Sequence, residues 1–116
     1  MKILIEISHP AHVHYFKNFI KLMKNNEHTL IIVAKNKEVT FKLLDLYNID
    51  YYSLGKTKNN IISKVVGLLI DDLKLLKYSI KTNPDIYLSF SSPYVGHIAM
   101  LMNKPHIVFD DTEHAT

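Results

Sequence analysis

The 116-residue sequence contains no cysteine and no arginine, so all fourteen of its basic residues are lysines. Without cysteine, disulfides and thiolate metal sites are excluded, which fits a reducing compartment. Without arginine there is no bidentate guanidinium fork, and any phosphate must be held by lysine, by backbone N–H groups or by a helix N-terminus. Glycine is scarce as well, with three in the whole chain. No G-x-x-x-x-G-K-[ST] loop, G-x-G-x-x-G turn or G-x-S-x-G elbow occurs, so P-loop, dinucleotide and nucleophile-elbow chemistry have no motif to rest on. Long apolar runs are missing too. Glu6 breaks the first one before it reaches the length of a signal-peptide core, and the most lipophilic stretch, residues 61–80, is interrupted by Lys64, Asp71, Asp72, Lys74 and Lys77 and cannot span a bilayer. The expected location is the cytoplasm.

What is present is globular. Hydrophobic residues make up 47% and charged residues 22%, the balance of a chain that buries a core, and the length suits one domain over residues 1–116. The formal charge is +3, but the lysines are scattered along the sequence and no basic face stands out, so nucleic acid is not an expected partner. Apolar strand-like runs at 2–7, 29–34, 50–54, 85–90 and 106–110 alternate with helical patterns. Val13, Phe16, Ile20 and Met23 recur at spacings of three and four, as do Ile62, Val66, Leu69, Leu73, Leu76 and Ile80, the expected stripes of helices packed on a sheet. Two shorter helices are expected from Glu38 to Tyr47 and from Pro93 to Met102. Pro10 stands where an N1 proline starts the first helix, Asn59 and Asn60 can cap the third, and Asn83-Pro84 ends it. Pro93 and Pro105 mark the next helix and strand starts. Strands joined by crossover helices form a parallel sheet, and runs such as "LIIVA" suit strands covered on both faces. The expectation is an α/β, Rossmann-like doubly wound sheet of five strands in the order 3-2-1-4-5. Ending at "DDTEHAT" after the fifth strand, with no closing helix, the chain reads as the front part of a longer protein.

In such sheets ligands bind at the carboxyl ends of the strands. There the sequence places Ser8, His9, His12 and His14 after the first strand, Lys35, Asn36 and Lys37 after the second, and Gly55, Lys56, Thr57 and Lys58 after the third. Ser89, Ser91, Ser92, Tyr94 and His97 follow the fourth, and Asp110, Asp111, Thr112, Glu113 and His114 the fifth. The opposite edge holds mainly Asn25, Asn26, Glu27, Asn48, Asn83 and Asn103. The histidines admit three readings: metal ligands together with His114 and Asp110 or Asp111, a general base with neighbours, or capping and surface groups. H-x2-H-x-H matches no tight metal signature, and neither a metal nor a cofactor is expected. The hydroxyls and helix-start N–H groups of Ser91, Ser92 and Tyr94 suit a phosphate or sugar hydroxyls, or form a Ser-Pro cap. Asp110, Asp111 and Glu113 suit acid/base work, a divalent cation, or capping.

Three stretches, "ISHPAHVHYFKNFIKLMKNNEHTLIIVAKNKE", "LLDLYNIDYYSLGK" and "PDIYLSFSSPYVGHIAMLMNKPHIVFDDTEHA", together resemble the N-terminal part of the "domain of unknown function 354" family, with "HPAHVH" and "FDDTEHA" the most specific parts. That family is grouped with GT-B glycosyltransferases and UDP-N-acetylglucosamine 2-epimerases. The resemblance implies the N-terminal, acceptor-side half of a GT-B fold, acting with a nucleotide-sugar donor and a sugar or lipid acceptor and inactive without its C-terminal donor domain. It makes His12 the catalytic candidate, in the position of the "GH" turn of related transferases, with Asp111 and Glu113 assisting. His9, His14, Ser91, Ser92, Tyr94, Asp110 and His114 become candidate substrate contacts. The turn lacks the glycines of those transferases, and no carboxylate follows the fourth strand where the epimerases carry one, which makes epimerisation the second reading and a noncatalytic binding module the third. Peripheral membrane contact through the third helix, and a homodimer or a missing C-terminal half, complete the partners left open.

Overall fold

The computed structural model describes residues 1–36, 38–56, 61–90 and 93–109. They form alternating strands and helices: β1 (Lys2–Ile7), α1 (Pro10–Asn25), β2 (Thr29–Asn36), α2 (Glu38–Leu46), β3 (Tyr52–Lys56), α3 (Ile61–Thr82), β4 (Ile86–Phe90), α4 (Pro93–Leu101) and β5 (His106–Phe109). The five strands make one sheet in the order β3-β2-β1-β4-β5, every pair parallel. This is the doubly wound α/β topology expected from the sequence. Asn59 and Asn60, read as caps of α3, lie outside the described residues.

Strand alternation divides the core into two layers. Ile3, Ile5 and Ile7 of β1, with Ile32, Ala34 and Leu88, face α1 and α2 and meet Val13, Phe16, Ile20 and Leu44. Leu4, Ile31, Val33, Leu54 and Tyr87 face the other way and meet Leu75 of α3 and Val95, Ile98 and Ala99 of α4. Fully burying a side chain such as Phe16 or Leu75 contributes about 1.5–3 kcal/mol. Burial also pushes the Tyr87 phenol up, against a smaller opposite effect of the Ser79 hydroxyl.

Of the stripe expected on the third helix, the side chains of Ile62, Val66 and Leu69 lie outside the described residues, Leu76 packs against the second core layer, and Leu73 and Ile80 are corrected. Leu73 and Ile80 are 66% and 65% exposed, while Leu75 and Ser79 are buried. The helix is apolar on more than one side, so spacing alone does not choose the inward face. The choice falls to the positions that fit against β3 and α4. Each helix ends at a residue in the left-handed region, Glu27, Asn48, Asn83 and Asn103, with φ between 51 and 64°. Backbone bonds such as His28 N–H to Met23 C=O and Ile49 N–H to Leu44 C=O close those ends. The plain edge anticipated from the sequence is thus the set of turns that return the chain to the sheet.

Two strands run further than their apolar runs suggested, so Lys35, Asn36 and Lys56 belong to strands rather than loops. Between the pairs Ala34–Ser53 and Asn36–Lys56 the register shifts, Lys35 standing opposite Leu54 and Gly55. This bulge sits at the carboxyl end of the sheet, and Lys74 of α3 donates to the Leu54 carbonyl beside it at 3.4 Å.

Candidate functional site

The turn after β1 is built by its histidines. His9 is the N-cap of α1: its backbone is extended and its Nδ1 accepts from the Ala11 N–H at 3.1 Å, while Pro10, which has no N–H to satisfy, follows at the helix start. One turn on, the His12 ring lies flat against Phe90 at the end of β4, with centroids 4.3 Å apart and planes 8° apart. Its Nδ1 accepts from the Ser8 N–H at 3.3 Å. A neutral imidazole that accepts at Nδ1 carries its proton on Nε2. In this arrangement Nε2 is a donor, and accepting a proton there requires the Ser8 contact to be released first.

His14 turns away from these two and meets the Tyr47 ring edge-on at 6.1 Å. The His9 and His12 rings are neighbours, their centroids 5.8 Å apart and their planes tilted by 49°, while His14 stands apart against the residue that follows α2. Among the described residues no three His, Asp or Glu side chains are grouped so as to hold a metal ion.

Beside His12 lies a cluster of rings. Phe90 meets Tyr15 and Phe16 of α1 at 5.0 and 5.5 Å and Phe109 of β5 at 5.8 Å. Tyr15, 58% exposed, also reaches Phe109. The carboxyl edge of the sheet on this side is thus aromatic, and Phe90 fixes the His12 ring plane.

On the opposite face of the sheet the site is polar. Tyr94, in the first turn of α4, packs on the second core layer, and the Lys35 ammonium lies 5.5 Å from its ring centre. Ser89, expected as a cleft hydroxyl, is buried within β4, and its Oγ is 2.6 Å from His106 Nε2 on β5. Burial holds the His106 imidazole below its usual pKa, and the ring packs over Gly96, where a Cβ would stand 3.4 Å from Nδ1, in ordinary contact. His97 is exposed on α4. Ser91, Ser92, Asp110, Asp111, Glu113 and His114 lie outside the described residues.

Two features escaped the reading of the sequence. Glu6, seen there only as an interruption, is fully buried on β1, and alternation puts it on the same face as Leu4. A charged residue inside a strand covered on both faces is itself the signal, because its burial is costly unless it is matched. The Ser89–His106 pair had no such signal, since it depends on the β4–β5 register.

The sequence matches, over residues 1–116, the family DUF354, described as a protein of unknown function. The chain belongs to the DUF354 family. Among curated proteins no significant match to it was found. In fold the DUF354 chain is similar to MurG of Acinetobacter baumannii, with a TM-score of 0.76 and 15% identity over 95% of this chain and 35% of that one. It is also similar to a UDP-GlcNAc 2-epimerase of Neisseria meningitidis bound to UDP-GlcNAc, with a TM-score of 0.72 and 18% identity over 94% of this chain and 32% of the other. The glycosyltransferase VinC in complex with dTDP gives 0.72 and 11% over 95% and 34%. At these identities the likeness is one of fold, that of the Rossmann-like domains of GT-B glycosyltransferases and 2-epimerases. The DUF354 chain spans about a third of the length of each of these structures. No helix among the described residues is long and apolar enough to cross a membrane.

Proposed function

We propose that the chain is the acceptor-side domain of a glycosyltransferase-like protein, working in the cytoplasm with a nucleotide-sugar donor held by a further domain or chain. The observation that carries this reading is His12, stacked on Phe90 at the carboxyl end of the sheet with its tautomer set by the Ser8 N–H. In glycosyl transfer the acceptor oxygen bonds to the anomeric carbon as that carbon's bond to the phosphate oxygen breaks, and the acceptor's proton must leave. His12 is proposed to meet the acceptor hydroxyl, first as an Nε2–H donor that orients it. It then takes the proton once the Ser8 contact opens and its own proton moves to Nδ1. A positioned imidazole contributes about 10²–10⁴-fold in such a step.

Ser91, Ser92 and Tyr94 are proposed to contact sugar or phosphate. Asp110, Asp111 and Glu113 are proposed to orient the acceptor or the base, with Asp111 and Glu113 assisting the proton transfer, and His9, His14 and His114 are proposed as further substrate contacts. The support for these roles is their place after strands and the family resemblance. The test is transfer from a panel of nucleotide sugars by the protein in its native assembly. His12→Ala is expected to lower kcat/KM by about 10²-fold or more. Activity within twofold of wild type would remove His12 from the reaction.

Epimerisation is kept as a second reading because the chain shares its fold with a 2-epimerase bound to UDP-GlcNAc. Solvent deuterium at C2 of a recovered UDP-N-acetylhexosamine would favour it over transfer.

A further inference from the structure

Three of the lysines that look scattered in the sequence form a row on α1. Lys17, Lys21 and Lys24 share one side of the helix and line a groove of about 500 Å³ between α1 and the end of α2, with Asn18, Tyr47 and Asn48. At 1.5 Å rise per residue the row extends roughly 10 Å along the axis. Lys17 is seated on Tyr47, its Nζ 4.7 Å from the ring centre and 3.5 Å from the phenol oxygen. Lys21 and Lys24 are exposed and form no ion pair among the described residues. Asp45, the acid in the last turn of α2, does not line the groove; it acts on Tyr51, whose phenol is pushed up first by burial and then by that carboxylate.

Like charges at i, i+4 destabilise a helix. Three ammonium groups converging on a concave surface without an acidic partner therefore cost the fold something, and an anionic ligand would offset that cost. Lysine binds phosphate as a point charge, and three such charges spaced along the row suit an anion with more than one charged group. We propose that the α1–α2 groove is a binding site for a ligand carrying two or more phosphate groups, held by Lys17, Lys21 and Lys24. The two groove amides add neutral donors, and the Tyr47 ring supplies an apolar floor for whatever carries the phosphates. His14, edge-on to Tyr47, joins the upper end of the groove to the first turn of α1. The proposal goes beyond the transferase reading and does not rest on it, since it concerns binding away from the strand ends.

The test is calorimetric titration of the protein with inorganic tripolyphosphate at low salt, beside flotation with cardiolipin vesicles, whose headgroup carries two phosphates. The expected result is binding by the wild type that falls as salt is raised. K21Q/K24Q should weaken it by about tenfold or more, through the loss of two charge-assisted contacts. K77Q/K81Q, on α3, should bind as wild type, and K21Q/K24Q should melt no lower than the wild type. Tripolyphosphate binding without flotation assigns the phosphates to a soluble ligand. Flotation lost in K21Q/K24Q, without tripolyphosphate binding, assigns them to a lipid headgroup. The proposal is overturned if neither probe binds, if the two variants weaken binding alike, or if polyglutamate competes as well as tripolyphosphate.

Discussion

His106 shows how one residue ties the last strand to the rest of the sheet. Its Nε2 meets the buried Ser89 hydroxyl at 2.6 Å, and burial makes its protonation harder in the folded chain than in the unfolded one. The ordinary imidazole value is 6.5. Between that pH and the lower folded value the unfolded chain binds the proton and the folded chain does not, so protons favour unfolding there. The contribution is complete above pH 6.5, is lost as the pH falls through this window, and is flat below it. We expect the melting temperature of the wild type to fall faster than that of His106→Gln between pH 7 and pH 5. Parallel curves would mean that the imidazole is free to charge in the folded protein. His12, at the other end of the same pair of strands, differs in kind. A backbone N–H fixes its tautomer and a phenyl ring fixes its plane, so its protonation and its geometry are tied to the β1–α1 turn.

At the scale of elements, α3 is the instructive case. Leu75 is fully buried against the second core layer, whereas Leu73, two residues before it, is 66% exposed. Leu75→Ala should therefore cost about 2–5 kcal/mol, by lost transfer energy and the cavity left behind. Leu73→Gln should stay within about 0.5 kcal/mol, as surface changes usually do. Urea unfolding of the two variants checks this, and similar losses at both positions would show that the outer face of α3 is covered in solution. The same helix marks where the sequence stops being legible. Its existence, its proline-marked end and the strand order all followed from period and punctuation, because those signals are local. Its inward face did not, because two apolar sides compete and only the neighbouring strand and helix decide between them. The candidate site divides in the same way. The first-strand turn was readable because Pro10 and the histidines follow an apolar run directly. The pairing of Ser89 with His106, the burial of Glu6 and the lysine row of the groove all depend on which face of an element is turned where.

The whole molecule is most firmly built at its centre and least so at β5. In β1 every residue from Ile3 to Ile7 is buried, and β2 and β4 flank it. β5 pairs only with β4 among the described residues, and its Ile107 and Val108 are 46% and 53% exposed. These two residues point to opposite faces of the sheet, so neither face of this strand is closed as the central strands are. Local opening follows such differences in apolar contact, and amide exchange reads them directly. The amides of Leu4, Ile5 and Glu6 should exchange at the slowest rate in the protein, set by global unfolding. Those of Ile107 and Val108 should exchange faster than any other strand amides. If the β5 amides prove as protected as those of β1, the strand is not an edge in solution. In that case a further strand or a second copy of the chain lies along it, and Ile107→Lys, which places a charge at that contact, should restore fast exchange there while leaving β1 unchanged.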